Sequence, residues 1–358
     1  MPLNSLKNHF NQTVKIATKL IGPGQPCFII AEAGSNHNQD LNNAKKMIDV
    51  ASIAKADVVK FQTFIPSKIY VQDAGFADYL GQEKSIQEIF KEISMPREWI
   101  LELSNHCKLK NIMFMSSAFD EESCDLIDPF VEAHKIASYE CTHLPLVKHI
   151  ASKGKPVIMS VAMATMDEIQ EALETIASTG NKNVILMHCI AKYPHPITSS
   201  NLLVIDTLRE AFNVPVGLSD HTREALFNPI IVVARGGNIL EKHFTLSNEM
   251  QGPDQKFSVE PNELIDIVKS VRLTENALGS PIKQLLSIEE ELYNFARRHI
   301  HAIKAIKKGE IFTRQNIDIL RSGKIKHGLE PKYFDEVIGK HAARDILPSQ
   351  GIERDDIQ

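Results

Sequence analysis

The 358-residue chain lacks most of what would tie it to a membrane, a nucleic acid or an oxidising compartment. Its five cysteines (Cys27, Cys107, Cys124, Cys141 and Cys189) are scattered, with no pair at metal-binding or redox spacing. They read as reduced, structural thiols of a cytosolic protein. No apolar run approaches the ~20 residues of a membrane-spanning helix, and Met1 to Leu20 lacks the apolar stretch of a signal peptide. A cytoplasmic protein without membrane contact is expected. Basic charge is not in excess: the formal net charge is -5, which leaves no electrostatic footprint for nucleic acid.

What is present is an ordinary globular composition, 43% hydrophobic and 24% charged, in a chain too long for one ordinary core. Eight short apolar segments end in polar residues: Cys27–Ser35, Asp57–Thr63, Asn111–Ser117, His134–Glu140, Pro156–Ser160, Asn183–Cys189, Val214–His221 and Asn238–Thr245. Helical periodicity separates most of them. Leu41, Ala44, Met47, Ile48 and Ala51 share one face, as do Ile169, Leu173 and Ile176, and Asn201–Phe212 and Glu263–Leu278 follow suit. Strand and helix alternating eight times predict an α/β fold, a closed (β/α)8 TIM barrel. The connection Pro66–Trp99, with Tyr70, Tyr79 and a charged stretch Gln82–Glu92, is too long for a turn and predicts a lid or wall of a pocket. The barrel is expected to span 1–280, followed by a linker at 281–295 and a small β-rich domain at 296–358. In the last region short runs such as His301–Ile306 are broken by Lys307-Lys-Gly-Glu310, Arg321-Ser-Gly323 and Lys326-His-Gly328. About sixty residues make a marginal core, so docking on a partner subunit is expected.

The polar strand ends carry the chemistry. His221 and His243 close the last two segments; they either cap strands by hydrogen bonding or grip one divalent metal over the barrel mouth. Glu32 ends the first segment as a proton donor or acceptor. Lys60 and Gln62 share a face because strand side chains alternate. Ser116 and Ser117, then Lys135, Ser138 and Glu140, then Ser160, then Ser219 and Asp220, and finally Lys242 add to the set. A lone lysine reads as a surface residue. Lysines repeated at strand ends among hydroxyls describe a site for a phosphate and a carboxylate.

Taken together, Glu32-Ala-Gly-Ser-Asn-His37, Lys60-Phe-Gln-Thr63, Lys135-Ile-Ala-Ser-Tyr-Glu140, Tyr193-Pro-His-Pro196, Gly217-Leu-Ser-Asp-His-Thr222, Glu241-Lys-His-Phe-Thr245 and Gly252-Pro-Asp254 resemble the bacterial sialic acid synthase family. The match runs from about Gly22 to the C-terminus, whose Lys307-Lys-Gly-Glu310 and Arg321 resemble that family's antifreeze-like (SAF) domain. The resemblance implies a transferase that condenses phosphoenolpyruvate with N-acetylmannosamine to give N-acetylneuraminate and phosphate, in polysaccharide biosynthesis. The alternatives are a diacetamido trideoxy-hexose leading to legionaminate or pseudaminate, another phosphoenolpyruvate aldol-type synthase, or a non-catalytic carbohydrate-binding barrel. It further implies manganese or magnesium on His221 and His243, and phosphoenolpyruvate on Lys60, Ser117, Lys135, Ser138, Ser160 and Ser219. The sugar would lie on Gln62, Glu140, Tyr193 and Asp254, with Glu32 handling protons. Arg321, with Phe295 beside it, would reach the acetamido group of sugar in the other subunit of a domain-swapped homodimer.

The chain also departs from the family pattern. Ala191 stands where Asn or Ser is usual, so one phosphoenolpyruvate contact is expected to be missing or supplied by water. Val161-Ala162 replace Thr-Gly, Ser117-Ala118 replace Thr-Pro, and Ser322 replaces the proline of an Arg-Pro-Gly turn, with a looser Arg321 expected.

Overall fold

A computed structural model describes residues 6–76 and 84–358; Tyr79 and Gln82 lie outside them. The chain divides into two compact units at Gly279. The first opens with an antiparallel hairpin, β1 (Val14–Ile16) and β2 (Lys19–Ile21), that the sequence reading had not assigned. Eight parallel strands follow: β3 (Phe28–Gly34), β4 (Val58–Thr63), β5 (Met113–Ala118), β6 (His134–Ile136), β7 (Val157–Ser160), β8 (Val184–His188), β9 (Val216–Asp220) and β10 (Ile239–His243). They close into a barrel, β10 pairing with both β9 and β3. All eight expected apolar segments are its strands.

Each strand has two buried faces, which is why the segments read as continuous apolar runs. The outward residues, such as Ile29, Val59, Phe114, Met159, Leu186 and Leu240, pack under the helices. Helix Leu41–Ile53 buries Ala44, Met47, Ile48 and Ala51, and Met166–Ser178 buries Ile169, Leu173 and Ile176. The inward residues Phe28, Ile30, Val58, Met115, Ala133, Ile158, Ile185, Met187 and Ile239 form a separate cluster inside the barrel. Val14, Ile16 and Ile21 of the hairpin join that cluster and close its N-terminal end.

Period-two alternation then dictates what faces inward one step further along each strand. Ile30 is followed by Glu32, Val58 by Lys60 and Gln62, Met115 by Ser117, Ala133 by Lys135, Ile158 by Ser160, and Ile239 by Glu241 and His243. The registers Glu32↔Lys60, Gln62↔Ser117, Ser117↔Lys135 and Glu241↔Ser219 bring these residues side by side. The barrel interior therefore passes from an apolar plug to a charged layer at its C-terminal end.

The second unit, Ser280–Gln358, contains the helix Glu290–Ala296 and one antiparallel pair, β11 (Arg298–Ala302) and β12 (Ile317–Arg321). Isolated bridges such as Ile306↔Ile346 and Ile311↔His341 extend the pairing. Its core is Ile300, Ala302, Ile306, Phe312, Ile317, Phe334, Val337, Ala342, Ile346 and Ile352. The expected Lys307–Glu310 turn closes with Glu310 N–H donating to the Lys307 carbonyl at 2.9 Å, and Gly309 takes φ 82°.

Candidate active site

A cavity of 440 Å³ opens at the C-terminal ends of the barrel strands, where barrel folds place their chemistry. Thirteen expected residues line it: Glu32, Lys60, Gln62, Ser117, Lys135, Ser138, Glu140, Ser160, Tyr193, Ser219, His221, His243 and Asp254. Its remaining wall includes Ile69, Tyr70, Phe90 and Ile93 from the long connection after β4, together with Phe64, Phe119 and Tyr139. The described part of that connection thus forms a wall, as its length suggested. Ala191 is not among the lining residues.

At the floor, buried Lys60 is the hub. Its Nζ lies 2.9 Å from Glu32 Oε2 and 3.4 Å from Glu241 Oε1, and donates to Ser117 Oγ at 3.1 Å. Gln62 Nε2 donates to Glu32 Oε1 at 2.9 Å. Lys135 Nζ donates to Ser160 Oγ at 2.7 Å and lies 4.0 Å from Glu241 Oε2. Ser138 Oγ accepts from Ala162 N–H at 3.1 Å and meets Cys189 Sγ at 2.9 Å, a fixed hydroxyl two residues before Glu140. Ser219 Oγ lies 3.2 Å from Glu241 Oε1, so two lysines and four serine hydroxyls surround two carboxylates in a buried floor.

Burial sets the proton affinities here. It lifts Glu32 despite the opposing pull of Lys60, whereas Glu241, caught between Lys135 and Lys60, is held low against the same burial. Two close carboxylates sharing one lysine are driven apart in this way, one toward the protonated and one toward the ionised form. Lys60 is raised because Glu241 and Glu32 outweigh its desolvation, while burial dominates at Lys135 and lowers it. Glu140, with its Oε2 buried and unpartnered, is pushed by burial to about 7.

The two histidines share the mouth, their rings 5.4 Å apart. His221 donates through Nδ1 to the Ile190 carbonyl at 2.8 Å, so its Nε2 keeps a lone pair facing Ser219 at 3.3 Å. Burial, then His243, pulls its pKa down to about 3. Tyr193 packs over the His221 ring at 4.3 Å. His243 Nδ1 sits 3.4 Å from Asp254 Oδ2, too long for a good hydrogen bond. That carboxylate, with Glu32 and Glu241, nevertheless outweighs burial and raises His243. Asp254 is placed by a buried network, since Ser258 Oγ donates to its carbonyl at 2.7 Å and receives Asn36 Nδ2–H at 3.0 Å.

A divalent cation fits this donor set. Ligand atoms of Glu32, Glu241 and His243 all lie within 4.8 Å of one another, and Glu241 Oε2 and His243 Nδ1 are buried without a hydrogen-bond partner. Carboxylate and imidazole suit manganese or magnesium.

The sequence reading had overlooked Glu241 and offered Lys242 in its place. Alternation decides against that: counting back two from His243 puts Glu241 inside, and Lys242 faces outward. There Lys242 binds Asp220 at 2.7 Å and the Thr222 and Glu224 carbonyls at 2.6 and 2.9 Å, tying down the loop after β9. Asp220 is outward for the same reason. Ser116 is outward too, its hydroxyl 2.7 Å from Thr63 Oγ1. The aromatic wall residues Phe64 and Phe119 had no motif to betray them, and Tyr139 was passed over inside Lys135-Ile-Ala-Ser-Tyr-Glu140.

Phe295 and Arg321 belong to the second unit. Gly323 N–H, two residues past Arg321, donates to the Phe295 carbonyl at 3.1 Å, so these two expected residues are neighbours. Ser322 does not loosen the turn; it is buried and hydrogen-bonded to two histidines. Among the described residues no helix is long and apolar enough to cross a membrane.

Comparison with known proteins agrees with this geometry. The NeuB family profile matches residues 47–283 and the SAF domain profile residues 297–358. The spore coat polysaccharide biosynthesis protein SpsE of Bacillus subtilis is 41% identical, over 96% of this chain and 96% of that protein. The N,N'-diacetyllegionaminic acid synthase of Campylobacter jejuni is 39% identical over 88% of this chain and 96% of its own. The crystal structure of the sialic acid synthetase of Leptospira borgpetersenii superposes with a TM-score of 0.72 at 32% identity, covering 80% of this chain and 96% of that one.

Proposed function

The chain belongs to the NeuB family of phosphoenolpyruvate-dependent nonulosonic acid synthases, and from that premise we propose that its acceptor is a diacetamido trideoxy-hexose. One observation carries the choice over N-acetylmannosamine. The wall supplied by the connection after β4 and by Phe119 and Tyr139 is aromatic and aliphatic: Ile69, Tyr70, Phe90, Ile93. An open-chain acceptor that reacts at C1 over the charged floor directs its far end at that wall. A trideoxy sugar ends there in a methyl group, whereas N-acetylmannosamine would bring a hydroxymethyl group to a wall where only the Tyr70 and Tyr139 hydroxyls could pair with it. The Campylobacter relative, a legionaminate synthase by name, supports the same reading.

The residues divide the work by chemistry. Lys60, Lys135, Ser117, Ser138, Ser160 and Ser219 are assigned to the phosphate and carboxylate of phosphoenolpyruvate, holding its C3 against the sugar aldehyde. The new bond joins that C3 to sugar C1; water adds at C2, and the C2–O bond to phosphate then breaks, leaving an α-keto acid and inorganic phosphate. Glu32 is assigned the proton exchanged with the reacting oxygen. A manganese or magnesium ion, held by His221 and His243 with the adjacent carboxylates of Glu32 and Glu241, would polarise the aldehyde. Gln62, Glu140, Tyr193 and Asp254 are assigned to the sugar hydroxyls, and Arg321 with Phe295 to an acetamido group from a partner copy in a homodimer.

The test is phosphate release by chelator-stripped protein given phosphoenolpyruvate and either sugar, with and without manganese. Metal-dependent release with the trideoxy sugar alone is expected. Preferential release with N-acetylmannosamine would overturn the acceptor choice, and release with neither would overturn the synthase reading for this chain.

A further inference from the structure

Arg321 ends β12, and the residue after it is anchored by an ordered chain of hydrogen bonds. Ser322 Oγ lies 2.9 Å from His299 Nδ1 and 2.8 Å from His301 Nε2, all three side chains being buried. The two histidines sit two apart on β11 and so share a face. His301 Nδ1 is 2.9 Å from the Ser349 carbonyl, which can only accept. In the neutral ring the proton is on Nδ1 and Nε2 is the acceptor. Ser322 therefore donates to His301 and accepts from His299 Nδ1–H, giving one direction of donation: His299 to Ser322 to His301 to Ser349. His327 stacks on His299 at 4.2 Å and donates to the Asn294 carbonyl at 2.7 Å. Gly323 N–H, bound to the Phe295 carbonyl, ties the other side of the turn. Arg321 pairs with Arg298 across the ladder, and its guanidinium has no hydrogen bond or ion pair among the described residues, so its backbone is fixed while the guanidinium is left for a ligand.

We infer that Ser322, His299 and His301 form a positioning unit for Arg321, setting how firmly the acceptor sugar is held. The inference rests on the reading of Arg321 as a sugar contact. A backbone already ordered leaves only the arginine side chain to be immobilised on binding, and loosening it adds an ordering cost to sugar binding. That cost falls on KM for the sugar, not on the chemical step.

The experiment has two arms. In the first, nitrogen-15 NMR of the histidine rings of the full chain reads the tautomers. His299 and His301 are both expected with the proton on Nδ1, and Ser322→Ala is expected to disturb both; a wild-type His301 protonated on Nε2 alone overturns the chain. In the second, kinetics of Ser322→Ala should show sugar KM raised about fivefold to tenfold, with kcat and phosphoenolpyruvate KM within about twofold. His301→Phe removes the acceptor from the other end and carries the same expectation. Unchanged sugar KM in both variants overturns the positioning role. A wild-type protein inactive with every sugar refutes the synthase reading instead, and the tautomer pattern alone then decides whether the chain exists.

Discussion

Glu140 offers the sharpest quantitative test, because one buried oxygen controls its energy. It follows β6 in the short helical turn Ser138–Glu140, lines the cavity, and leaves Oε2 buried without a partner. Burial lifts its carboxyl from 4.5 to about 7, with Lys135 opposing only in part. The folded chain thus binds this proton more tightly than the unfolded chain does. Its contribution to stability is fully present below the unfolded value and is lost as pH rises through the folded value. The interval from 4.5 to about 7 corresponds to roughly 3 kcal/mol once both states are ionised. Glu140→Gln keeps the shape and removes the charge. The variant should therefore exceed wild type by up to about 3 kcal/mol near pH 8, the gap narrowing as pH falls toward about 5. Urea unfolding of both proteins in chelator, without substrate, measures it, and the difference between them isolates Glu140 from every other group. A difference that does not grow with pH would refute the argument.

The floor and the barrel wall yield three further expectations. Replacing Lys60 with Met leaves Glu32 and Glu241 without their shared cation, so stability should fall by about 3 kcal/mol by denaturant unfolding and synthase turnover by at least about a hundredfold. Glu241→Gln removes one of three clustered metal donors; manganese affinity of the stripped protein, read by calorimetry, should drop about tenfold to a hundredfold while wild-type folding is retained by circular dichroism. Gly217→Ala places a Cβ 1.8 Å from the Ile239 carbonyl oxygen, so β9 and β10 cannot keep their spacing; loss of about 3 kcal/mol or insoluble expression is expected, and a wild-type melting curve would contradict the packing.

Much of the site was legible because a parallel barrel makes sequence and position nearly equivalent. Each apolar run ended where the strand leaves the barrel, so Lys60, Ser117, Lys135, Ser160, Ser219 and His243 could be named without coordinates. The errors within the strands have one cause. Lys242, Asp220 and Ser116 differ from the true lining residues Glu241, Ser219 and Ser117 only by a step of one along a strand, and a step of one exchanges inside for outside. Applying the alternation strictly back from His243 would have found Glu241. The hairpin Val14–Ile21 was missed for another reason: three-residue strands with exposed Lys15, Lys19 and Leu20 carry too little pattern.

By itself the sequence determined the eightfold alternation, the polar strand ends and the second, β-rich region, because periodicity and composition are local properties of the chain. Only the tertiary structure decided which carboxylate of Glu32 and Glu241 is driven toward its proton, since that depends on burial and on Lys60 and Lys135 arriving from other strands. It also decided that Ser322 anchors its turn. A serine in place of a ring reads as slack until His299 and His301, more than twenty residues earlier, are seen to hold it.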